Sequence, residues 1–272
     1  MAGLLPLRGE ISVSRVLGKT IPGLPEVLGY PAENSRIIVP SSPTLWQQDR
    51  LSLSYGIGRS YSKLDAPKEW GVSWVLNDEQ VFTVAETMDR EYGQTPFFSL
   101  ILTYSMHSPY DVIPVYASDM AFTSGKGEYP EKYYNYLSHC RYTDSCLEAY
   151  FDFLKGSGLY DRSLIVIVSD HPAHDMFMDM EGQLPTDMPL YIVNGGISSP
   201  DGVQAWDGLC NQLDIYPTIL DILGAESGWR GLGCSLLKRP WQDRATPEIW
   251  DISENIIYSD YFASSTIANE KD

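Results

Sequence analysis

The chain has 272 residues, 43% hydrophobic and 20% charged, with 7 Trp and 18 Tyr, a composition that excludes a disordered chain and suits one large domain or two small ones. A formal charge of -17 with no Lys/Arg cluster excludes nucleic acid as a partner, because a polyanion would be repelled. No segment reaches the ~20 apolar residues that span a bilayer, and no charged-then-apolar leader opens the chain.

Met1-Ala2-Gly3-Leu4-Leu5-Pro6-Leu7 enters as apolar chain with no cap or strand before it. It reads either as a short apolar start packed on the surface or as a sequence that begins inside a domain. Residues 36–39 form a short strand candidate ending at Pro40, and residues 97–104 a longer one beginning after Pro96. Residues 131–154 predict a helix: Pro130 stands at its entrance, and Tyr136, Cys140, Thr143, Leu147, Tyr150, Phe151 and Leu154 fall near a 3.6-residue stripe. Gly156 and Gly158 stop it. Leu164-Ile165-Val166-Ile167-Val168 has no polar alternation, which predicts a strand covered on both faces, as in a parallel sheet. A polar loop rich in Met and Asp runs over 172–187, and a strand follows at 189–193, closed by Asn194-Gly195-Gly196. A helix at 213–223 carries Pro217 in its first turns and ends at Gly224. The tail from Lys238 onward holds one strand candidate at 254–258. Apolar runs alternating with amphipathic stretches are the signature of βαβ units around a parallel sheet.

Cys140, Cys146, Cys210 and Cys234 show neither CxxC spacing nor a zinc pattern. If Cys140 and Cys146 share the helix, six residues of rise separate them by ~9 Å, too far for a disulfide. The four read as mostly buried thiols, a Cys140–Cys146 bridge being left open but without support.

The apolar strand ends abruptly in Ser169-Asp170-His171. Ligands in open α/β sheets sit beyond the carboxyl ends of strands, and Asp with His supplies the O and N donors that a divalent metal accepts. The pair taken alone fits equally a helix-capping Asp and a histidine satisfied by its surroundings. Three of the four histidines, His107, His171 and His174, occupy predicted loops at strand ends, while His139 lies in the long helix, where a structural role dominates. His107 sits in Ser105-Met106-His107-Ser108-Pro109-Tyr110, where Pro109 is expected to keep Ser108 extended. Were the two strands neighbours, His107 would face Asp170 and His171 across one crevice.

These residues resemble the sulfatase-like branch of the alkaline phosphatase superfamily, above all its phosphoglycerol transferases of the lipoteichoic acid synthase type. The likeness runs through Asn135-Tyr136, Tyr142-Thr143-Asp144, Gly158-Leu159-Tyr160-Asp161, the run Leu164 to His171, Met188-Pro189-Leu190-Tyr191-Ile192, and Asp214-Ile215-Tyr216-Pro217-Thr218-Ile219-Leu220-Asp221-Ile222-Leu223-Gly224. The order and spacing of the pieces carry more weight than any one of them.

The resemblance implies an alkaline-phosphatase-like three-layer α/β sandwich with a mostly parallel central sheet, N-terminally truncated. A single sulfatase-like domain would cover 1–272, with 238–272 as a tail packed on it. Asp170 and His171 would bind one divalent metal ion (Mn, Mg, Ca or Zn). His107 would contact the phosphate or sulfate being transferred, Trp46 in Leu45-Trp46-Gln47-Gln48-Asp49 would line the substrate pocket, and His174 is a further candidate for substrate contact. The synthases carry Arg where Gln48 stands, which puts recognition of a glycerol phosphate head group in doubt.

The family's nucleophile and a further metal-binding carboxylate precede the segment resembled by Leu4-Leu5-Pro6-Leu7, so both are expected before Met1. No cysteine sits in a C-x-P-S-R context, and of the early hydroxyls Ser12, Ser14 and Thr20 none follows a strand. The complete enzyme is expected to act on sulfate or phosphate esters through a covalent intermediate, with this chain inactive alone. The rival readings are a non-catalytic anion-binding module on the same scaffold and a phosphomutase or phosphodiesterase of the same superfamily. The chain itself is expected to be soluble. Relatives imply an extracytoplasmic or membrane-associated protein, any membrane contact being made by a segment absent from these residues.

Overall fold

The structure, a computed structural model, describes residues 1–3, 16–72, 74–93, 95–110, 121–122, 124–125, 127–173, 178–180, 182–183, 188–196, 210, 212–229, 231–237, 249–251, 256–258 and 263–264. In chain order these hold α1 (Leu24–Val27), β1 (Ser35–Ile38), α2 (Gln48–Ser54), β2 (Arg59–Tyr61), α3 (Asp78–Tyr92), β3 (Phe98–Ile101), α4 (Glu131–Gly156), β4 (Ile165–Val168), β5 (Leu190–Val193), α5 (Gln212–Ile222), β6 (Ile249–Asp251), β7 (Ile256–Tyr258) and β8 (Ala263–Ser264), joined by short 3-10 turns. Helices and strands are mixed, an α/β fold. It divides into two compact units: residues 36–45 with 60–195, and residues 1–35 with 46–59 and 196–272.

In the unit containing 60–195, a parallel three-stranded sheet has the order β2-β1-β3. The long helix forms where its stripe predicts, but the buried face is rotated from that stripe: Tyr150 and Leu154 are buried with Tyr142 and Cys146, while Tyr136, Cys140, Thr143, Leu147 and Phe151 are half-buried. Helix α3 lies against it, capped by Asn77, whose side chain accepts from the Gln80 N–H while the Gln80 side chain accepts from the Asn77 N–H. The two helices and the sheet share one core of Ile38, Leu76, Val81, Phe82, Ala85, Tyr142, Cys146, Tyr150, Leu154 and Leu159. The Phe82 and Tyr150 rings stack at 5.0 Å within it.

Two buried acids punctuate the inward face of α3. Asp89 meets Arg36 of β1 at 2.5 Å with both side chains fully buried, and the Tyr150 hydroxyl donates to Asp89 at 2.6 Å. Burial pushes the Asp89 carboxyl above its ordinary pKa, against the opposing pull of the Arg36 charge and of the hydrogen bonds from Tyr150 and Arg36. Asp78, at the first turn, is fully buried as well.

β4 departs from the expectation of a strand covered on both faces. It pairs antiparallel with β5, from Ile165 opposite Val193 to Val168 opposite Leu190. Ile165 packs against the helical core, but Val168 at the strand's end stands 41% exposed. Cys140 and Cys146 both lie on α4 and are free, as the helical rise requires; Cys210 and Cys234 are free as well, and the expectation of buried thiols holds for Cys146 alone, Cys140 and Cys234 being half-buried and Cys210 exposed. Burial raises the Cys146 thiol to about 11 and the Cys140 thiol in the same direction.

The other unit is organised around α5. Pro217 cannot donate to the Leu213 carbonyl one turn back, and the backbone of Gly233 sits against that carbonyl. The next residue, Cys234, donates its N–H to buried Asp214 at 2.7 Å, and Leu236 donates to the Thr218 hydroxyl at 3.0 Å. A Cβ on residue 233 would press into the backbone of Leu213 and Asp214, so Gly233→Ala should destabilise the protein by about 1–3 kcal/mol. Gly228→Ala, where a Cβ meets nothing within 4 Å, is the control. Equal denaturation midpoints for the two variants would contradict this packing. β6, β7 and β8 form an antiparallel meander, with β7 inside the strand expected at 254–258.

Candidate functional site

The segment leaving β4 turns on Asp170, whose Oδ1 accepts the His171 backbone N–H at 3.0 Å. The His171 ring is oriented from its other side, Nδ1 lying 2.7 Å from the Pro172 carbonyl oxygen. A carbonyl only accepts, so Nδ1 carries the proton and Nε2 holds the lone pair of the neutral ring. That nitrogen stands 3.7 Å from Asp170 Oδ2, with the two side chains 45% and 88% exposed. Metal bonds of about 2.0–2.2 Å to oxygen and nitrogen span such a gap from a point between the two atoms. The donor chemistry, the lone-pair tautomer and the spacing therefore fit a divalent cation. They fit it as a pair: among the described residues no group of three or more His, Cys, Asp or Glu side chains is placed to hold a metal.

His107 occupies the turn after β3. Its backbone N–H donates to the Tyr104 carbonyl at 2.8 Å, and the Tyr110 N–H donates to the His107 carbonyl at 3.2 Å. The ring is exposed, stacks on Tyr104 at 4.6 Å and 15°, and has Nδ1 2.6 Å from the Ser108 carbonyl oxygen. The same reasoning leaves Nε2 as its outward atom for a ligand. Trp74 meets the Tyr104 ring edge-on at 5.1 Å. The Ser108–Pro109 bond is cis.

The expected crevice depended on β3 and β4 being neighbours. Among the described residues β3 pairs with β1, and β4 with β5. What the two strands share is the helical core, on which Ile101 and Ile165 both rest. His139 is buried in α4 with Nδ1 2.7 Å from the Asn135 carbonyl oxygen, the structural placement expected of it. His174 lies outside the described residues. Trp46 belongs to the other unit and is 62% exposed. It and Gln47 both adopt left-handed backbone, φ 54° and 52°, a conformation that costs a bulky side chain energy and that no sequence pattern announces.

Sequence reasoning passed over Asp78. Its Oδ1 accepts the backbone N–H groups of Tyr104 at 2.8 Å and Ser105 at 2.9 Å, and its Oδ2 accepts the Thr143 hydroxyl at 2.6 Å. An acid in the first turn of a helix ordinarily reads as a dipole partner, so the sequence carries no signal of this second allegiance.

Residues 23–225 match the Sulfatase family. Lipoteichoic acid synthase 1 of Bacillus subtilis is 26% identical over 285 residues, covering 93% of this chain and 42% of that protein, so the chain spans less than half of this relative's length. The crystal structure of the lipoteichoic acid synthase LtaP from Listeria monocytogenes superposes with a TM-score of 0.75 at 17% identity, over 99% of this chain and 68% of that one. The Streptococcus pyogenes phosphoglycerol transferase GacH, in complex with sn-glycerol-1-phosphate, does so with a TM-score of 0.51 at 17% identity, over 78% of this chain and 55% of that one. The two structural likenesses concern the fold. The family match covers most of the chain, across the helical core, β4 with its Asp170-His171 end, and α5: the chain belongs to the sulfatase family of the alkaline phosphatase superfamily.

Proposed function

We propose that the protein acts on phosphate or sulfate esters at a divalent-metal centre to which Asp170 and His171 contribute, with His107 contacting the group transferred. The observation that carries this reading is the 3.7 Å placement of Asp170 Oδ2 beside the lone-pair nitrogen of a ring that Pro172 orients from behind. Holding the far ring nitrogen on a backbone carbonyl is how metal-binding histidines are commonly fixed in orientation and tautomer. A bound divalent ion supplies charge that favours a deprotonated hydroxyl nucleophile and offsets charge on the ester oxygens. His107, in its protonated form, donates from Nε2 to one of those oxygens while Ser108 holds Nδ1. Trp46 offers an exposed aromatic face for substrate, and His174 remains a candidate contact.

The family match, over residues 23–225, spans residues of both units, which supports reading them as one sulfatase-like domain; extending that domain over 1–272 with 238–272 as its tail goes beyond the matched residues and is part of the proposal. The names of the relatives support phosphoglycerol transfer as the activity of the whole protein, and with it an extracytoplasmic or membrane-associated location. No helix among the described residues is long and apolar enough to cross a membrane. A second reading, a non-catalytic module that binds an anion at His107, is favoured by the finding of a donor pair and no larger cluster among the described residues.

The imidazole resonances of the 272-residue chain test both. Mn2+ should broaden the His171 ring signals selectively, and Asp170→Ala should remove that effect, the loss of a direct ligand weakening binding by at least about 100-fold. Inorganic phosphate should shift the His107 ring signals. Broadening that ignores Asp170→Ala would overturn the metal assignment, whereas a phosphate response at His107 without any metal response at His171 would favour the anion-binding module.

A further inference from the structure

We propose that Asp78 is the positioning residue for His107, acting through the backbone of the turn that carries it. The proposal deepens the reading of His107 as the anion contact and rests on it. Asp78 is the first residue of α3, where an acid suits the helix dipole, but a dipole partner has no need of full burial. Nor does Asp78 cap its own helix, since Asn77 does that with Gln80. Its carboxyl group is turned away from α3 instead. Oδ1 takes two successive N–H groups, those of Tyr104 and Ser105, and Oδ2 takes the Thr143 hydroxyl from the middle of α4. The Asp78 N–H completes the arrangement by donating to the Ser105 hydroxyl oxygen at 3.1 Å. Three hydrogen bonds thus tie the two residues ahead of Met106-His107 to Asp78, and the fourth, from Thr143, ties Asp78 to α4.

Two of the contacts that fix His107 pass through Tyr104. The Tyr104 carbonyl accepts the His107 N–H, and the Tyr104 ring is the surface on which the His107 ring lies. His107 is itself exposed, and among the described residues its other ring contact is to the adjacent Ser108. A ligand-contacting group has to be held within about 0.5 Å, and an exposed imidazole gets that order only from what lies beneath it. Removing the carboxyl would leave the buried Ser105 N–H and the part-buried Tyr104 N–H without their acceptor, so the turn would shift to satisfy them. The helix core could survive this, because Asn77 and Gln80 still cap α3.

The test uses the full 272-residue chain with Asp78→Ala, Asp78→Asn and Thr143→Val, each first shown to be folded. The His107 ring signals, identified by their loss in His107→Ala, carry the ring-current displacement of the stacked Tyr104. Asp78→Ala should abolish that displacement and speed amide exchange at Tyr104 and Ser105. Asp78→Asn, which keeps an oxygen for the two N–H groups, should restore most of it. Affinity for inorganic phosphate should fall about 10-fold in Asp78→Ala, the scale of an orienting partner, and the double variant with His107→Ala should bind no more weakly than His107→Ala alone. A His107 ring signal that keeps its full ring-current displacement in folded Asp78→Ala, or additive losses in the double variant, would overturn the proposal. If Asp78→Ala does not fold, Thr143→Val decides: freeing Asp78 Oδ2 from α4 should reduce the ring-current displacement, and an unmoved His107 ring signal in that variant is the contrary result. A wild-type His107 that ignores phosphate would instead sink the anion-contact reading, with the ring signal and amide exchange still judging whether Asp78 positions the turn.

Discussion

Asp89→Ala should cost the protein about 3–5 kcal/mol, because it leaves a fully buried guanidinium without its counter-charge. Arg36 has other partners: its Nε donates to the Ser99 hydroxyl at 2.9 Å and its Nη2 to the Ala85 carbonyl at 3.2 Å, with the Tyr92 and Phe97 rings each 5.5 Å away. None of these neutralises it. The cluster joins β1, β3, α3 and α4 at one point, so the loss should be felt across the unit and not at one helix end. Replacing both charges, as in Arg36→Met with Asp89→Leu, should recover most of the loss, since a buried ion pair gives back in desolvation much of what it gains in attraction. Tyr150→Phe, which deletes only the hydroxyl donating to Asp89, should cost about 1.5–3 kcal/mol. Denaturant unfolding of the three variants checks the order. A loss below about 1 kcal/mol in Asp89→Ala would mean that water reaches Arg36 in the folded state.

The same cluster explains why α3 was not legible in the sequence while α4 and α5 were. The stripe of α4 is apolar or aromatic at most of its inward positions, so its period survives reading in one dimension. The inward face of α3 contains Asp78 and Asp89, and both acids are satisfied by partners distant in sequence, Thr143 with the turn after β3 for one and Arg36 for the other. An acid on that face breaks the apolar period. The Asn77/Gln80 capping box was the available signal. For β4 the local signal was strong but said nothing of its partner, and an antiparallel neighbour with half-buried faces produced the same apolar run as a parallel, covered strand would have done.

At the candidate site the division is similar. That Asp170, His171 and His107 could carry chemistry was legible, because residue type and position after a strand are sequence properties. Which ring nitrogen of each histidine faces outward was not, since it depends on the Pro172 and Ser108 carbonyls folding back onto Nδ1. The left-handed turn at Trp46 and Gln47 was equally hidden, both being residue types that rarely adopt it.

Were Asp170 Oδ2 and His171 Nε2 the whole of the protein shell, the 272-residue chain would hydrolyse p-nitrophenyl phosphate or p-nitrophenyl sulfate in the presence of Mn2+ no faster than Mn2+ in buffer. A catalytic divalent ion needs about three protein ligands besides the position left for substrate, and the described residues bring two donors together, Asp170 Oδ2 and His171 Nε2, both on exposed side chains. Exposure matters as much as the count. An ion held by two solvated donors keeps much of its own water and exchanges readily, so it lowers the pKa of a nucleophile little and offers the ester a weak, mobile charge. His107 alone could bind the anion without activating it, which is the behaviour expected of the binding module. Measured turnover that depends on Mn2+ and is lost in Asp170→Ala would contradict this expectation directly. The next variant in that case is His174→Ala, because His174, three residues beyond His171 and outside the described residues, is the nearest imidazole in sequence that could join the pair as a third donor.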